Sequence, residues 1–335
     1  MGRFAARRLF QAVPILIGLS VLMFAWVRAL PGGPEQALVP QDASAAEVEQ
    51  VRESLGLNRP IWMQYLAYLG QVIRFDFGTS LMSRQPVRAE MLDRFPASIE
   101  LGVSAMLFAL LVGVPLGYLA AKHYGSALDH AFVTSSLIGI TIPVFFMAYL
   151  LKFVFAVQLG WLPTTGRSSI RMATEHPTGF YVLDGIVTGN LMASWDAIQH
   201  LILPAIALGS IPLAVIVRIT RAAVLDVMNE DYVRTAEAKG LLKRTVSIRH
   251  IMRNALIPLV TVAGLQLGLL MSGTVLTETV FAFSGVGSFV AGALFARDYP
   301  TIQGFVVVIA LMYILVNLLV DITYALIDPR VRSAQ

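Results

Sequence analysis

The 335-residue sequence contains no cysteine, and charged residues make up only 14% of it. Without cysteine the chain has no disulfide, no thiolate nucleophile and no cysteine-ligated zinc or iron–sulfur site. The charged share is far below the quarter that is usual in soluble globular chains, and 56% of the residues are apolar. A soluble enzyme of this length needs more polar surface to cover its core. The net charge of +4 is small, and in such a chain it bears on membrane topology rather than on nucleic acid, which we do not expect as a partner.

The sequence also lacks the short motifs of common nucleotide, metal and hydrolase sites. It has no G-x-x-x-x-G-K-[ST] loop for nucleotide phosphates, no H-E-x-x-H metal motif and no G-x-S-x-G nucleophile elbow. The five histidines are scattered and show no metal-ligand spacing. We therefore expect no catalytic residue, no cofactor and no metal in this chain, and no enzyme activity of its own.

Six long runs are free of Asp, Glu, Lys and Arg, and each is long enough to cross a bilayer as a helix. They are residues 9–27, 101–121, 131–151, 197–217, 254–277 and 299–320. None shows the alternating period of an outer-membrane barrel strand. The sequence therefore predicts an all-α polytopic membrane protein with six transmembrane helices. Prolines lie inside these runs at positions 14, 115, 143, 204 and 212, where they predict either static kinks or hinges.

A seventh uncharged run, residues 279–296, is close to the lower limit for a span. Only Arg297 and Asp298 separate it from the last long run, and two full spans cannot easily be joined so tightly. We expect this segment to be re-entrant or interfacial and buried against protein.

The distribution of basic residues predicts the orientation of the six spans. The basic residues cluster in three places, at Arg3, Arg7 and Arg8, at eight positions within 218–253, and at Arg330 and Arg332. In a six-span chain these clusters lie on one side, which the positive-inside rule identifies as cytoplasmic. Both termini are then cytoplasmic, and the loop 31–96, with six basic and eight acidic residues, lies outside.

The long loop after the first span carries signals of ordered structure. Ser44 and Glu47 have the spacing of a capping box, which predicts the start of a helix. Gly56 supplies a C-terminal stop for that helix. A second amphipathic stretch covers residues 61–74. Its aromatic side chains predict either an interfacial helix or a docking surface for an external partner.

The segment 229–244 predicts a short, well-capped helix between two spans. Asn229 can cap its start, and Gly240 suits a left-handed stop. Thr235, Ala236 and Ala238 are small and permit close approach of another surface. From the residues alone, this helix is either a rigid knob for a partner's groove or an amphipathic helix on the lipid surface.

The string DYVRTAEAKGL at 231–241, followed by HIMRNALIP at 250–258, resembles the EAA loop of ABC-importer permeases, with Arg234 in place of the usual glutamate. The distance from Gly240 to Pro258 is similar to that in the peptide-import branch. Further similar strings are LPG at 30–32, LGLNRP at 55–60, DFG at 76–78, PASIEL at 96–101, ILPA at 202–205, IPLA at 211–214, LTETVF at 276–281, DYP at 298–300, NLLVD at 317–321 and DPR at 328–330. Residues 177–184 resemble the dipeptide subgroup, and the large first outer loop is similar to that of the first of two permease subunits.

This resemblance implies the type I ABC-importer permease fold, with a large periplasmic loop after the first helix. The implied domains are a tail and first helix at 1–30, a periplasmic loop at 31–96, a permease domain at 97–328 with a coupling loop at 218–254, and a cytoplasmic tail at 329–335. The resemblance implies that the protein lies in the bacterial inner membrane and contacts its lipids. The implied partners are a second homologous permease, two cytoplasmic ATPases that hold ATP and magnesium, and a periplasmic or lipid-anchored solute-binding protein.

The implied function is ATP-driven uptake of dipeptides or short peptides. Glutathione, nickel chelates, haem or longer oligopeptides are alternatives within the same type of complex. A secondary transporter is the alternative from another class, but it needs buried acids for ion coupling, and no predicted span centre carries Asp or Glu.

The resemblance also implies roles for particular residues. ATPase coupling is expected of Arg234, Thr235, Ala236, Lys239 and Gly240. An outer gate is expected around Glu278, Phe281 and Gly285, although this chain has Ser284-Gly285 where the family usually has Pro-Gly. From the residues, Lys152 lies close to a span end, where it either reaches the interface or meets a substrate carboxylate.

Overall fold

A computed structural model of the chain describes residues 2–29, 39, 43–54, 56–169, 175–272 and 274–327. Throughout these residues the regular structure is helical, apart from an isolated bridge between Thr79 and Pro86. The helices are α1 (Gly2–Ala29), α2 (Ala45–Ser54), α3 (Ile61–Ile73), α4 (Val87–Lys122), α5 (Ala127–Thr141), α6 (Val144–Leu151), α7 (Tyr181–Val187), α8 (Leu191–Met228), α9 (Asp231–Ala238), α10 (Lys243–Thr245), α11 (Arg253–Ser272), α12 (Val275–Val280), α13 (Val286–Phe295) and α14 (Tyr299–Ile327). Two π-helical segments, Lys152–Gln158 and Val246–Met252, extend α6 and α10.

The chain divides into two compact units. The first comprises Met1–Pro96 and Gly285–Leu315, and the second comprises Ala97–Ser284 and Val316–Gln335. The predictions that depend on Arg330, Arg332 and the segment 329–335 fall outside the described residues.

Five helical stretches among the described residues are long and apolar enough to cross a membrane, and a bent helix pair brings the number to as many as six. These stretches are Phe10–Ala29, Val87–Lys122, Leu191–Met228, Lys243–Leu270 and Tyr299–Leu319, and the pair is Ala127–Thr141 with Val144–Gln158. The all-α polytopic prediction is confirmed, since each predicted span overlaps one of these stretches or the pair.

The third predicted span is bent at Pro143, one of the prolines at which the sequence predicts a kink or a hinge. The run 131–151 is interrupted at Pro143, where α5 and α6 meet with a bend of 104°. Ile142 has extended backbone, and Pro143 is the residue that precedes the first turn of α6. The proline ring disfavours helical backbone in the preceding residue and removes one backbone donor, so the helix ends there. The prolines at 14, 115, 204 and 212 instead lie inside the continuous helices α1, α4 and α8.

Helix α8 forms the centre of the second unit, in contact with α5, α6, α7 and α11. Its buried positions include Leu201, Leu208 and Ile216, which pack with residues of α4 and α11 in one apolar cluster. Helix α5 approaches α8 closely, because a Cβ atom at Gly139 would lie 2.8 Å from the carbonyl carbon of Ser210. Small residues thus allow these backbones to approach within van der Waals contact.

The loop after α1 is ordered where the structure describes it, as the sequence predicts. The Ser44 backbone N–H donates to the Glu47 carboxylate at 2.7 Å, and the Glu47 N–H donates back to the Ser44 hydroxyl at 3.3 Å. Gly56 has a φ of +65°, the left-handed conformation expected of a helix stop. Helix α3 then packs on α1, where the hydroxyls of Ser20 and Tyr65 are 2.9 Å apart.

The segment 279–296, which the sequence predicts to be re-entrant or interfacial, contains no continuous helix. Helix α12 ends at Val280, and Ala282 has a φ of +47° in the turn that follows. Helix α13 has ten residues and is therefore about 15 Å long, half of the thickness of a bilayer core. The turn and the shortness of α13 prevent this segment from spanning.

Candidate functional site

Helix α9 lies where the sequence predicts a short capped helix, but it starts one residue later. Asn229 directly follows α8, still has helical backbone, and its side-chain amide donates to the Leu225 carbonyl at 3.0 Å. Glu230 has extended backbone and is the residue that precedes the first turn of α9. The predicted cap at Asn229 is therefore wrong, because that amide is already engaged by α8.

The end of α9 at Gly240 is confirmed. Gly240 has a φ of +75°. Its N–H donates to the Glu237 carbonyl at 2.9 Å, and the Leu241 N–H donates to the Ala236 carbonyl at 3.3 Å. This pair of hydrogen bonds is a Schellman motif, which satisfies the last carbonyls of the helix and reverses the chain.

One face of α9 is buried in its own unit. Val233 and Ala236 are 2% and 5% exposed, and they pack in a cluster with Val224, Val246 and Ile251. Asn254 donates to the hydroxyl of Tyr232 at 2.9 Å, which ties α9 to α11. Ala236 thus seats the helix and does not face outward.

The opposite face of α9 is exposed and carries Arg234, Thr235 and Lys239. Thr235 donates to the carbonyl of Asp231 at 2.8 Å, so its hydroxyl stays within the helix. Arg234 lies 3.8 Å from the Asp231 carboxylate, and both side chains are largely exposed. Such a pair contributes little to stability. This face is therefore available to a partner without loss of internal packing.

A basic groove of about 510 Å³ lies in the same unit, between α4 and the segment that follows α9. Lys122, Lys243 and Arg244 line it, and among the described residues no acidic side chain does. Tyr118 and Ser247 also line it, and the Tyr118 hydroxyl donates to the Ser247 hydroxyl at 2.8 Å. A surface of this charge suits an acidic partner.

The residues expected at an outer gate fall into both compact units. In the second unit Glu278 is fully buried, and Ser98 donates to its carboxylate at 2.5 Å. Phe281 is 2% exposed, and its carbonyl accepts from the Gly166 N–H at 2.9 Å. In the first unit Gly285 has extended backbone and precedes α13.

Lys152 forms a hydrogen bond within its own chain. Its ammonium donates to the carbonyl of Val280 at 2.8 Å and lies 5.9 Å from the centre of the Phe281 ring. The contact joins the end of α6 to the end of α12. A role toward a substrate carboxylate stays a prediction.

Two ion pairs that organise the second unit were missed by sequence reasoning. Arg167 donates to Glu100 at 2.9 Å and to the Gly179 carbonyl at 2.7 Å, which holds the loop before α7 on α4. Arg221 makes two bonds to Asp129. Each pair is separated by more than 60 residues, and in the sequence these arginines count only as single charges.

The described residues offer no cluster of three or more His, Asp or Glu side chains that could hold a metal ion. The described residues thus form apolar helices, one exposed capped helix, and buried hydrogen bonds and ion pairs between the helices. Such features can form contacts with other chains.

Two family profiles match the chain. The profile described as "Binding-protein-dependent transport system inner membrane component" matches residues 113–333. A profile for the N-terminal part of such membrane components matches residues 1–102. Together they cover almost the whole sequence.

Curated relatives match over their full length. The chain is 45% identical to the dipeptide transport system permease protein DppB of Escherichia coli, over 99% of each chain. It is 44% identical to the di/tripeptide transport system permease protein DppB of Pseudomonas aeruginosa, again over 99% of each. It is 38% identical to the glutathione transport system permease protein GsiC of Escherichia coli, over 99% of each.

Among solved structures, the chain is similar to two inward-facing crystal forms of the MetNI methionine ABC transporter. The TM-scores are 0.51 and 0.52, at 16% and 15% identity. The first match covers 71% of this chain and 96% of that chain. At this identity the likeness concerns the fold.

Proposed function

The chain belongs to the family of binding-protein-dependent transport system inner membrane components, and from this premise we propose that it is the first permease subunit of an ATP-driven importer of dipeptides and other short peptides. The observation that carries the proposal is the 45% identity to a dipeptide permease over 99% of both chains. The chain is a multi-pass inner-membrane protein, and it supplies one part of a translocation path.

The exposed face of α9 is the site of ATPase coupling in this proposal. Thr235, Arg234 and Lys239 contact the partner, Ala236 seats the helix, and Gly240 fixes its end. Support comes from the geometry, since α9 is anchored by buried Val233 and Ala236 while its other face is free. A rigid, exposed helix can transmit a displacement of a partner to α8 and α11, to which the same cluster ties it.

The assembly that we propose contains four kinds of subunit. This chain and a second homologous permease form the path, two ATPases bind ATP and magnesium on the cytoplasmic side, and a periplasmic or lipid-anchored binding protein delivers the solute. Hydrolysis takes place in the ATPases. The basic groove lined by Lys122, Lys243 and Arg244 supports a cytoplasmic location for α9.

Both termini are cytoplasmic in this arrangement, and residues 31–96 are periplasmic. The proposed parts are the tail and first helix at 1–30, the periplasmic loop, the permease domain at 97–328 and the tail at 329–335. A reporter that is active only in the cytoplasm should then be active when it is fused after residue 330. Activity of a periplasmic reporter at that position would contradict the topology.

An outer gate around Glu278, Phe281 and Gly285 is part of the same proposal. Its support is the turn after α12, where Ala282 has a φ of +47° and Lys152 donates to the Val280 carbonyl. Strained backbone of this kind persists only where surrounding contacts hold it, and it is enriched at elements that switch.

Uptake by a deletion strain tests the substrate. Deletion of the gene should make cells resistant to toxic dipeptide analogues, and a plasmid copy should restore sensitivity. Growth on dipeptides as the amino-acid source should follow the same pattern. Intact dipeptide uptake together with lost growth on glutathione, or under nickel limitation, would reject the substrate and leave the permease assignment in place.

A further inference from the structure

A small polar pocket lies in the first unit, between α1, α3 and α14. Its volume is about 200 Å³. Its polar lining consists of two guanidinium groups, three amides and one phenol, from Arg28, Arg59, Gln64, Gln71, Gln303 and Tyr68. Among the described residues no carboxylate lines it.

Arg28 lines this pocket and is held in place by neighbouring residues. Its Nε and Nη2 atoms donate to the Gln64 side-chain oxygen at 3.1 and 2.8 Å, and its guanidinium lies 3.5 Å from the centre of the Phe24 ring. The amide nitrogen of Gln64 donates in turn to the carbonyls of Leu57 and Arg59. Within the described part of the chain, neither Arg28 nor Arg59 has a carboxylate partner.

Tyr68 has a buried hydroxyl with no hydrogen-bond partner among the residues that the structure describes. Its ring packs against Phe24, with 5.8 Å between the ring centres. Burial, with a smaller effect from Tyr65, raises the pKa of Tyr68 to about 12, so the hydroxyl keeps its proton and remains a donor. A buried donor without an acceptor is destabilising, and such groups in native proteins usually have a partner.

We propose that this pocket binds the phosphodiester of an anionic phospholipid such as phosphatidylglycerol. Two cations and an unpartnered hydroxyl donor, without an acid, select an anion. The absence of a carboxylate in the described lining leaves no partner for the ammonium group of a zwitterionic headgroup. A pocket of about 200 Å³ has room for a phosphate and part of its glycerol, while the acyl chains stay outside.

The pocket lies at the level of the membrane at which lipid headgroups are found. Arg28 lies in the last turn of α1, at the end of a predicted span. Trp62 and Ile61 on α3 are 56% and 67% exposed, and exposed tryptophan is characteristic of the membrane interface. Along α1, Leu22 is 65% exposed and offers an apolar surface to an acyl chain.

The test uses the full-length chain, purified in mild detergent with the subunits that copurify. Thermal stability is measured against increasing phosphatidylglycerol, phosphatidylcholine or inorganic phosphate. We expect phosphatidylglycerol to raise the unfolding temperature by mass action and the other two to have little effect. Native mass spectrometry should show a retained anionic lipid.

Tyr68→Phe separates binding from folding. Because no described residue hydrogen-bonds to this hydroxyl, the variant should be at least as stable as wild type without lipid. It should need about tenfold more phosphatidylglycerol for half-maximal stabilisation, and Arg59→Gln should shift the response in the same direction. Arg74→Gln is the matched control, since Arg74 is an exposed residue at the end of α3 outside the pocket lining.

Three results would overturn the proposal. One is equal stabilisation by phosphatidylcholine and phosphatidylglycerol. Another is an unchanged lipid response in both Tyr68→Phe and Arg59→Gln. The third is a comparable shift with inorganic phosphate alone, which would identify the ligand as a soluble anion instead of a lipid.

Discussion

The guanidinium of Arg221 on α8 donates two hydrogen bonds, of 2.6 and 2.7 Å, to the carboxylate of Asp129 on α5. The same carboxylate accepts from the Gly125 N–H at 3.0 Å, and Asp129 is 2% exposed. A bidentate pair of this kind fixes both the distance and the orientation of two helices. It therefore sets how α5 begins relative to the central helix of its unit.

Asp129→Asn should destabilise the protein by about 3 kcal/mol, because it leaves the Arg221 guanidinium without its counter-charge. Arg221→Lys keeps the charge but loses the two-pronged geometry, so we expect about half of that loss. Arg218→Gln, at an exposed position on the same helix, should change stability by less than about 0.5 kcal/mol. The unfolding temperatures of the three purified variants are the measurement. Equal losses of stability in Asp129→Asn and Arg218→Gln would contradict a stabilising role of the Arg221–Asp129 ion pair.

Gly139→Ala should weaken the packing of α5 on α8. The added Cβ would lie 2.8 Å from the carbonyl carbon of Ser210, and backbone cannot move aside as a side chain can. We expect a loss of about 2 kcal/mol, in the range of overpacked cores. Gly18→Ala on α1 is the control, because no described atom lies within 4 Å of its Cβ position and alanine favours helix. Unfolding temperatures that fall equally in the two variants would argue against a close helix crossing.

Gly240→Val should reduce uptake without reducing the amount of protein in the membrane. In the part of the chain that the structure describes, no atom lies within 4 Å of a Cβ atom at Gly240, so the penalty comes from its φ of +75°. A β-branched residue in this conformation costs about 1–2 kcal/mol and favours another end for α9. Gly240→Asn should retain most of the uptake, because asparagine tolerates left-handed backbone. Transport and ATP hydrolysis of the assembled complex are the measurements, and wild-type values for Gly240→Val would rule out a role for this turn.

Asp298 should make stability depend on pH. This carboxylate is fully buried before α14, where it accepts from Ser80 at 2.5 Å and from Thr301 at 2.8 Å. Burial raises the pKa of Asp298, but the hydrogen bonds from Ser80, Thr301 and backbone N–H groups outweigh it, so the pKa lies below the usual value. A lowered pKa in the folded state stabilises the protein above the unfolded pKa of about 4, and this contribution is lost as the pH falls through the folded pKa.

Asp298→Asn is therefore expected to lower the unfolding temperature most at about pH 7 and least at about pH 3. Near neutral pH the loss should be about 1–3 kcal/mol, the range for a broken network of buried hydrogen bonds. Asp93→Asn replaces an exposed carboxylate and serves as the control with no such trend. If the difference in unfolding temperature between wild type and Asp298→Asn does not change with pH, the hydrogen bonds do not stabilise the charged form of the carboxylate.

The sequence alone determined the features that depend on neighbouring residues or on a long stretch of one composition. Six apolar runs predicted the spans, the Ser44 and Glu47 pair predicted a capped helix, and Gly240 predicted the end of α9. Each of these rests on interactions within a few residues or on the length needed to cross a bilayer. The family motifs were readable for the same reason, since they are contiguous strings.

Only the tertiary structure decided which polar groups meet and which proline breaks a helix. Arg221 and Asp129 are 92 residues apart, and Arg167 and Glu100 are 67 apart, so their pairing depends on how the helices pack. Pro143 separates two helices with a bend of 104°, while the continuous helix α8 contains Pro204 and Pro212. Each of the three prolines lacks a backbone N–H, and neighbouring helices can satisfy the carbonyl that a proline leaves free, so a proline in the sequence does not by itself decide whether a helix continues or ends.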